Sequence, residues 1–138
     1  MRHRGPDEFG AWRDDHAFLG HARLSIIDLV SDQPPLTGED GRFWITFNGE
    51  IYNFRELRTE LQRKGLRFKT RSDTEVILNL YQEMGEAAIQ RLDGMFAMAI
   101  WDQRQERLLL TRDRAGKKPL FFAMDGRRFV FASEIKGL

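Results

Sequence analysis

The sequence predicts an α+β fold in which helices cover a buried antiparallel sheet. Three observations carry that expectation. Two segments open with capping boxes and continue at helical spacing (53–65 and 72–85). Met95 to Trp101 is an unbroken apolar run, as expected of a strand covered on both faces. The back half then alternates strand-like segments with tight turn signals.

The elements follow in order. Phe18 to Ile27 and Phe43 to Phe47 are β-rich, the second entered through Asp40-Gly41. Asn53 caps the first helix, with Glu56 three residues on. Phe54, Leu57 and Leu61 give its apolar face, and Gly65 stands where a C-terminal stop belongs. Ser72 and Glu75 open the second helix. Val76, Ile77, Leu80, Tyr81 and Met84 give its apolar face, and Gly85 ends it. A short third helix is expected over Glu86 to Leu92. Strands follow at Met95 to Trp101 and Arg107 to Thr111, joined by the polar turn Asp102 to Glu106. Leu120 to Met124, Asp125-Gly126 and Phe129 to Ser133 read as a hairpin.

The 138 residues suit one domain, and 41% hydrophobic residues suffice for a core. Lys and Arg total 22 against 21 Asp and Glu, so no overall charge draws the chain to nucleic acid or an acidic membrane surface. The apolar run at 95–101 is far short of the roughly 18 residues that span a bilayer. No signal peptide is visible at the start, and the expected setting is cytoplasmic. There is no cysteine, hence no thiolate ligand and no thiol nucleophile. His3, His16 and His21 lack ligand spacing, so no metal site is expected. The chain enters on a charged loop and stops as a new periodic segment begins at Ser133, the pattern expected of a piece of a longer protein.

Four places can carry chemistry. At Phe47 to Asn53, a strand is read as ending at Asn48, with a turn at Gly49 and a carboxylate at Glu50 before the helix. An Asn amide beside an exposed N–H offers two donors to one oxyanion. By spacing alone, a common Asn-Gly turn is the simpler reading, although a helix and not a second strand follows. Arg23 sits inside an otherwise apolar strand, where a substrate carboxylate or an ion pair with Asp28 or another acid would serve equally. Asp73 follows the capping Ser72; it either complements the helix dipole or faces a substrate ammonium. Arg112-Asp113-Arg114 with Gly116-Lys117-Lys118 lacks P-loop spacing and reads as a solvated turn with an internal Arg–Asp pair. Phe43, Trp44 and Phe47 fall within strands and suit a core better than base stacking.

Several segments, in order along nearly the whole chain, resemble the class II glutamine amidotransferase domain in its asparagine synthetase form. They are the opening Arg2-His3-Arg4-Gly5-Pro6-Asp7, His21 to Asp28 (His-Ala-Arg-Leu-Ser-Ile-Ile-Asp), and Asn48-Gly49-Glu50-Ile51-Tyr52-Asn53. Ser72-Asp73-Thr74-Glu75, Gly94-Met95-Phe96-Ala97 and Arg112-Asp113 through Lys118-Pro119-Leu120 complete the set.

The resemblance implies an N-terminal-nucleophile hydrolase fold, two antiparallel sheets stacked between helical layers, here incomplete at the N-terminus. It implies glutamine as ligand. Arg23 would hold the α-carboxylate, with Leu24, Ile26 and Ile27 shaping the pocket through their backbone. Glu50 and Asp73 would hold the α-ammonium, and the Asn48 amide with the Gly49 N–H would form the oxyanion hole. The family attacks glutamine with an N-terminal cysteine whose α-amine is the base. With no cysteine, residues 1–138 are expected to be a partial amidotransferase domain, inactive alone and prone to aggregate. No cofactor is expected in this chain. ATP and Mg belong to the synthetase domain that normally shares the chain in this family, and the parent is expected to form a homodimer. Two other readings stay open: a non-catalytic pseudo-amidotransferase that binds glutamine or a partner, and a glutaminase with another nucleophile.

Overall fold

The structure is a computed structural model, and it describes residues 8–23 and 35–138. Three β units and a helical layer make up these residues. A ribbon pairs β1 (Glu8–Arg13) with β2 (Phe18–Arg23). A four-stranded antiparallel sheet runs β3 (Leu36–Thr37), β4 (Phe43–Ile51), β5 (Gly94–Asp102), β6 (Arg107–Arg112) in spatial order. A hairpin pairs β7 (Phe121–Asp125) with β8 (Arg128–Ala132). The helices are α1 (Phe54–Arg63) and α2 (Asp73–Met84), followed by a 3₁₀ helix, Gly85–Arg91, where the third helix was expected.

Strand alternation decides how the layers stack. Phe43, Ile45 and Phe47 of β4 face the helices and join Leu57, Leu61, Val76, Ile77 and Leu80 in the main core. Trp44 and Thr46 face the other way, toward the β1–β2 ribbon. There Trp12 stacks on Trp44 at 4.6 Å, and Leu19, Ala99 and Trp101 form a second, smaller core. Trp101 anchors the ribbon further, its indole N–H donating to Asp14 at 2.7 Å. The sheet is therefore covered on both faces, as the run at 95–101 predicts: Phe96 to Asp102 are all buried. Helices, sheet and a further β layer are the layers described.

Three local expectations are corrected. Glu8–Arg13, to which the sequence reading gives no element, is a strand, β1, held by full pairing with β2 and by the Trp12 stack. β4 does not end at Asn48; it continues through Ile51. Asn53 does not cap α1. Its amide bridges two strands of chain instead, donating to the Arg91 carbonyl at 2.9 Å and accepting from the Asp93 N–H at 3.0 Å. Ser72 does cap α2, accepting from the Glu75 N–H at 3.3 Å. The Glu75 carboxylate turns not to Ser72 but to the N–H groups of Lys69 and Thr70, each at 2.7 Å.

Among the described residues, no helix is long and apolar enough to cross a membrane.

Candidate binding site at the end of strand β4

β4 carries Asn48, Gly49 and Glu50 to one end of the central sheet, beside the start of β5. The register pairs Asn48 with Ala97, Gly49 with Phe96, Glu50 with Met95 and Ile51 with Gly94. Alternation continued from Trp44 and Thr46 puts Asn48 and Glu50 on the ribbon side of the sheet. Asn48 is half-buried and Glu50 exposed.

Two glycines set the geometry here. A Cβ at Gly49 would lie 2.2 Å from the Met95 carbonyl oxygen and 2.7 Å from the Phe96 Cα. A Cβ at Gly94 would lie 2.2 Å from the Glu50 carbonyl oxygen. Only hydrogen fits at either place, so β4 and β5 approach more closely than side chains permit. Gly49 is needed for close approach of two backbones, and not for a turn.

Asp73 joins the site from the helical layer. It is the first residue of α2, so the Ser72 cap fixes its position. Its Oδ2 accepts the Ile51 N–H at 3.0 Å, one residue beyond Glu50. Burial pushes the Asp73 carboxyl above the ordinary aspartate range; the Ile51 and Thr74 N–H groups pull it down, and the charge of Glu50 raises it again. Asp73 of the helical layer and Glu50 of β4 thus both come to the end of β4, and the charge of Glu50 is the smallest of the influences on Asp73. Such a pair favours a cation between them.

Behind the site, Asp113 holds β5. It is buried, accepting N–H bonds from Phe96 (3.2 Å), Lys117 (2.9 Å) and Lys118 (3.0 Å), while its own N–H donates to the Phe96 carbonyl at 2.8 Å. These bonds, led by that from Lys118, hold its carboxyl below the usual range. The expected solvated turn with an Arg–Asp pair is corrected: Asp113 organises the loop through backbone N–H groups, and Arg112 bonds the Gly116 carbonyl at 2.6 Å. Asp113, Gly94 and the Ile51 N–H are the supports that sequence reasoning missed. The lone acid among basic residues at 112–118 was the available signal for the first.

The structure brings together Asn48, Gly49, Glu50 and Asp73. Arg23 closes β2, paired with Glu8 across the ribbon. Leu24, Ile26, Ile27 and Asp28 lie outside the described residues. No group of three His, Cys, Asp or Glu that could hold a metal occurs among the described residues.

Comparisons with known proteins bear on the whole chain. A family model described as a glutamine amidotransferase domain matches residues 1–138. Over 136 residues, the chain is 48% identical to "Asparagine synthetase [glutamine-hydrolyzing] 1" of Bacillus subtilis (strain 168), covering 99% of this chain and 22% of that protein. It is 44% identical over 140 residues to "Asparagine synthetase B [glutamine-hydrolyzing]" of Escherichia coli (strain K12), covering all of this chain and 25% of that one. The chain therefore spans about a quarter, or less, of these relatives. Among solved structures, a glutamine phosphoribosylpyrophosphate amidotransferase from B. subtilis, complexed with ADP and GMP, superposes with a TM-score of 0.72 at 27% identity. The match covers 86% of this chain and 28% of that one.

Proposed function

Since the chain belongs to the glutamine amidotransferase domain family, with an N-terminal-nucleophile hydrolase-type fold, we propose that the end of β4 recognises glutamine. The convergence of Glu50 and Asp73 is the observation that carries this reading. The Asp73 carboxylate, disfavoured by burial and by the charge of Glu50, is relieved by an ammonium group. The α-ammonium of glutamine sits between them. Arg23 takes the α-carboxylate, and the backbone of Leu24, Ile26 and Ile27 shapes the pocket. The Asn48 amide and Gly49 N–H point their donors at the side-chain carbonyl, where negative charge develops during hydrolysis. The chain has no cysteine, so it binds glutamine without hydrolysing it.

The relatives' names give asparagine synthesis and glutamine hydrolysis, and we infer that the parent joins the two by passing ammonia from glutamine to aspartate. ATP and Mg would act in the synthetase region of that parent, not here. The parent works in the cytoplasm as a homodimer.

Calorimetric titration of the chain with L-glutamine tests the binding site. Saturable binding is expected, with Asp73→Asn at least tenfold weaker and no ammonia released. No saturable heat would overturn the reading. Binding that Asp73→Asn leaves unchanged would remove Asp73 from it.

A further inference from the structure

β6 ends at Arg112, and Asp113 is the next residue. The Asp113 carbonyl accepts the Gly116 N–H at 3.0 Å, so the chain turns away from β5 there. A continued ladder would have given that carbonyl to the Phe96 N–H. The carboxylate takes its place: Oδ2 accepts the Phe96 N–H at 3.2 Å, while the Asp113 N–H donates to the Phe96 carbonyl at 2.8 Å. Asp113 is only 6% exposed, so water is poorly placed to substitute for it.

Both backbone groups of Phe96 are thereby committed to the β6 side. In an antiparallel ladder the N–H and carbonyl of one residue point the same way, so neither faces β4. Gly49, the partner of Phe96 in the register, therefore sits in a non-hydrogen-bonded pair, the kind in which two strands come closest. The neighbouring bonds fix the same phase. The Tyr52 N–H crosses to the Asp93 carbonyl at 2.7 Å, whereas the Ile51 N–H points away from β5, to Asp73 at 3.0 Å. Gly49 lies two residues before Ile51, so its N–H leaves β4 on that same side. β3 pairs with β4 at Trp44 and Ile45, and among the described residues no strand stands beside Gly49 on that edge.

We propose that Asp113 is a positioning residue for the site at the end of β4: by holding both backbone groups of Phe96, it keeps the Gly49 N–H out of the ladder and free for the side-chain carbonyl of the ligand. This rests on the reading of that site as a glutamine site. Without the carboxylate, the Phe96 N–H is left buried and without its acceptor, and β5 must shift to find another. Such a shift carries Gly49 with it, because the two backbones touch with no Cβ between them.

Amide hydrogen exchange and calorimetry test the proposal. In the free native chain the Gly49 amide should exchange faster than those of Asn48 and Glu50, which fall in the hydrogen-bonded pairs of the ladder, and L-glutamine should slow it. L-norvaline supplies the control, for it keeps the ammonium, the carboxylate and the chain length of glutamine but has no amide. In Asp113→Ala, affinity for L-glutamine should fall about tenfold while that for L-norvaline stays within about twofold. Asp113→Asn, which keeps one acceptor oxygen, should lie between Asp113→Ala and the native chain for glutamine and match the native chain for norvaline. A merely structural role would weaken both ligands alike. Should Asp113→Ala not fold, Asp113→Asn and the exchange measurement carry the test. No saturable glutamine binding by the native chain would overturn the glutamine reading and this proposal with it. Saturable native binding, with equal losses for the two ligands in the variants, would overturn the positioning role alone, as would a Gly49 amide that exchanges as slowly as its neighbours in the free chain.

Discussion

Asp73 is partly withdrawn from water at the start of α2, and its carboxyl titrates above the ordinary aspartate range, chiefly because of that burial. A raised folded-state pKa means that the fold is favoured by protonation. That contribution is complete below the unfolded value of 3.8 and is lost as pH rises through the raised one. At neutral pH the ionised Asp73 therefore weakens the fold. An asparagine side chain in its place would still accept the Ile51 N–H, so Asp73→Asn is expected to melt higher at pH 7, by differential scanning calorimetry, although its glutamine affinity drops. A lower melting temperature would show that the carboxylate is a structural acceptor first. Gly49 presents the opposite balance. Its missing Cβ would meet the Met95 oxygen at 2.2 Å and the Phe96 Cα at 2.7 Å, both backbone atoms that cannot swing aside. Gly49→Ala should lose about 1–3 kcal/mol in urea unfolding. Asn48, Gly49, Glu50 and Asp73 could be named as candidates from the sequence, yet the reason for Gly49 could not. A dipeptide that commonly turns looks the same when two strands press together, because close backbone approach leaves no mark on side-chain periodicity.

At the level of elements, the strongly periodic segments were readable and the ones fixed by distant partners were not. α1 and α2 begin within a residue of where their capping signals place them. β1 has little alternation; it is a strand because β2 pairs with it and Trp12 finds Trp44. The Asn53 side chain illustrates the same limit. A capping box is local, whereas the partners that Asn53 takes, Arg91 and Asp93, are 38 and 40 residues away. Together with the Tyr52 N–H donating to the Asp93 carbonyl at 2.7 Å, they lash the entrance of α1 to the entrance of β5. Asn53→Ala should thus loosen the crossing rather than the helix. Its cost should be about 1 kcal/mol, with amide exchange accelerated at Tyr52 and Asp93 and nearly unchanged at Leu61. Faster exchange throughout α1 would restore the capping role.

For the whole molecule, two features govern behaviour in solution. The β7–β8 hairpin presents Phe122 (66% exposed), Met124 (74%) and Phe129 (42%), with the rings of Phe122 and Phe129 stacked at 5.7 Å. Contiguous apolar surface of this kind promotes association. Sedimentation of the chain should be concentration-dependent, and Phe122→Ser with Met124→Lys should reduce that dependence; a monomer at all concentrations would refute it. The second feature is acid sensitivity. Glu60 on α1 is bound bidentately by Arg91, at 2.9 and 2.6 Å, and that pairing brings its carboxyl from 4.5 to about 2. Asp102 is lowered chiefly by its hydrogen bonds from Arg42, and Asp113 by the Lys118 N–H. These three join α1 to the 3₁₀ helix, β5 to the approach of β4, and β5 to the loop after β6. Each folded-state pKa is depressed, so each contributes stability above its unfolded value and loses it as pH falls toward the folded one. Asp14, which accepts the Trp101 indole N–H, is lowered as well, so Asp73, which changes in the opposite sense, is one group against four. Stability should accordingly be level from pH 7 to about 5 and fall between about 4.5 and 2, with the loss from Glu60 spread over that window. Tryptophan fluorescence reports it directly, because Trp12, Trp44 and Trp101 all lie in the second core. An Arg91→Gln chain should lose the Glu60 share, so its stability profile should be flatter across that interval; an unaltered profile would assign the acid transition to Asp14, Asp102 and Asp113.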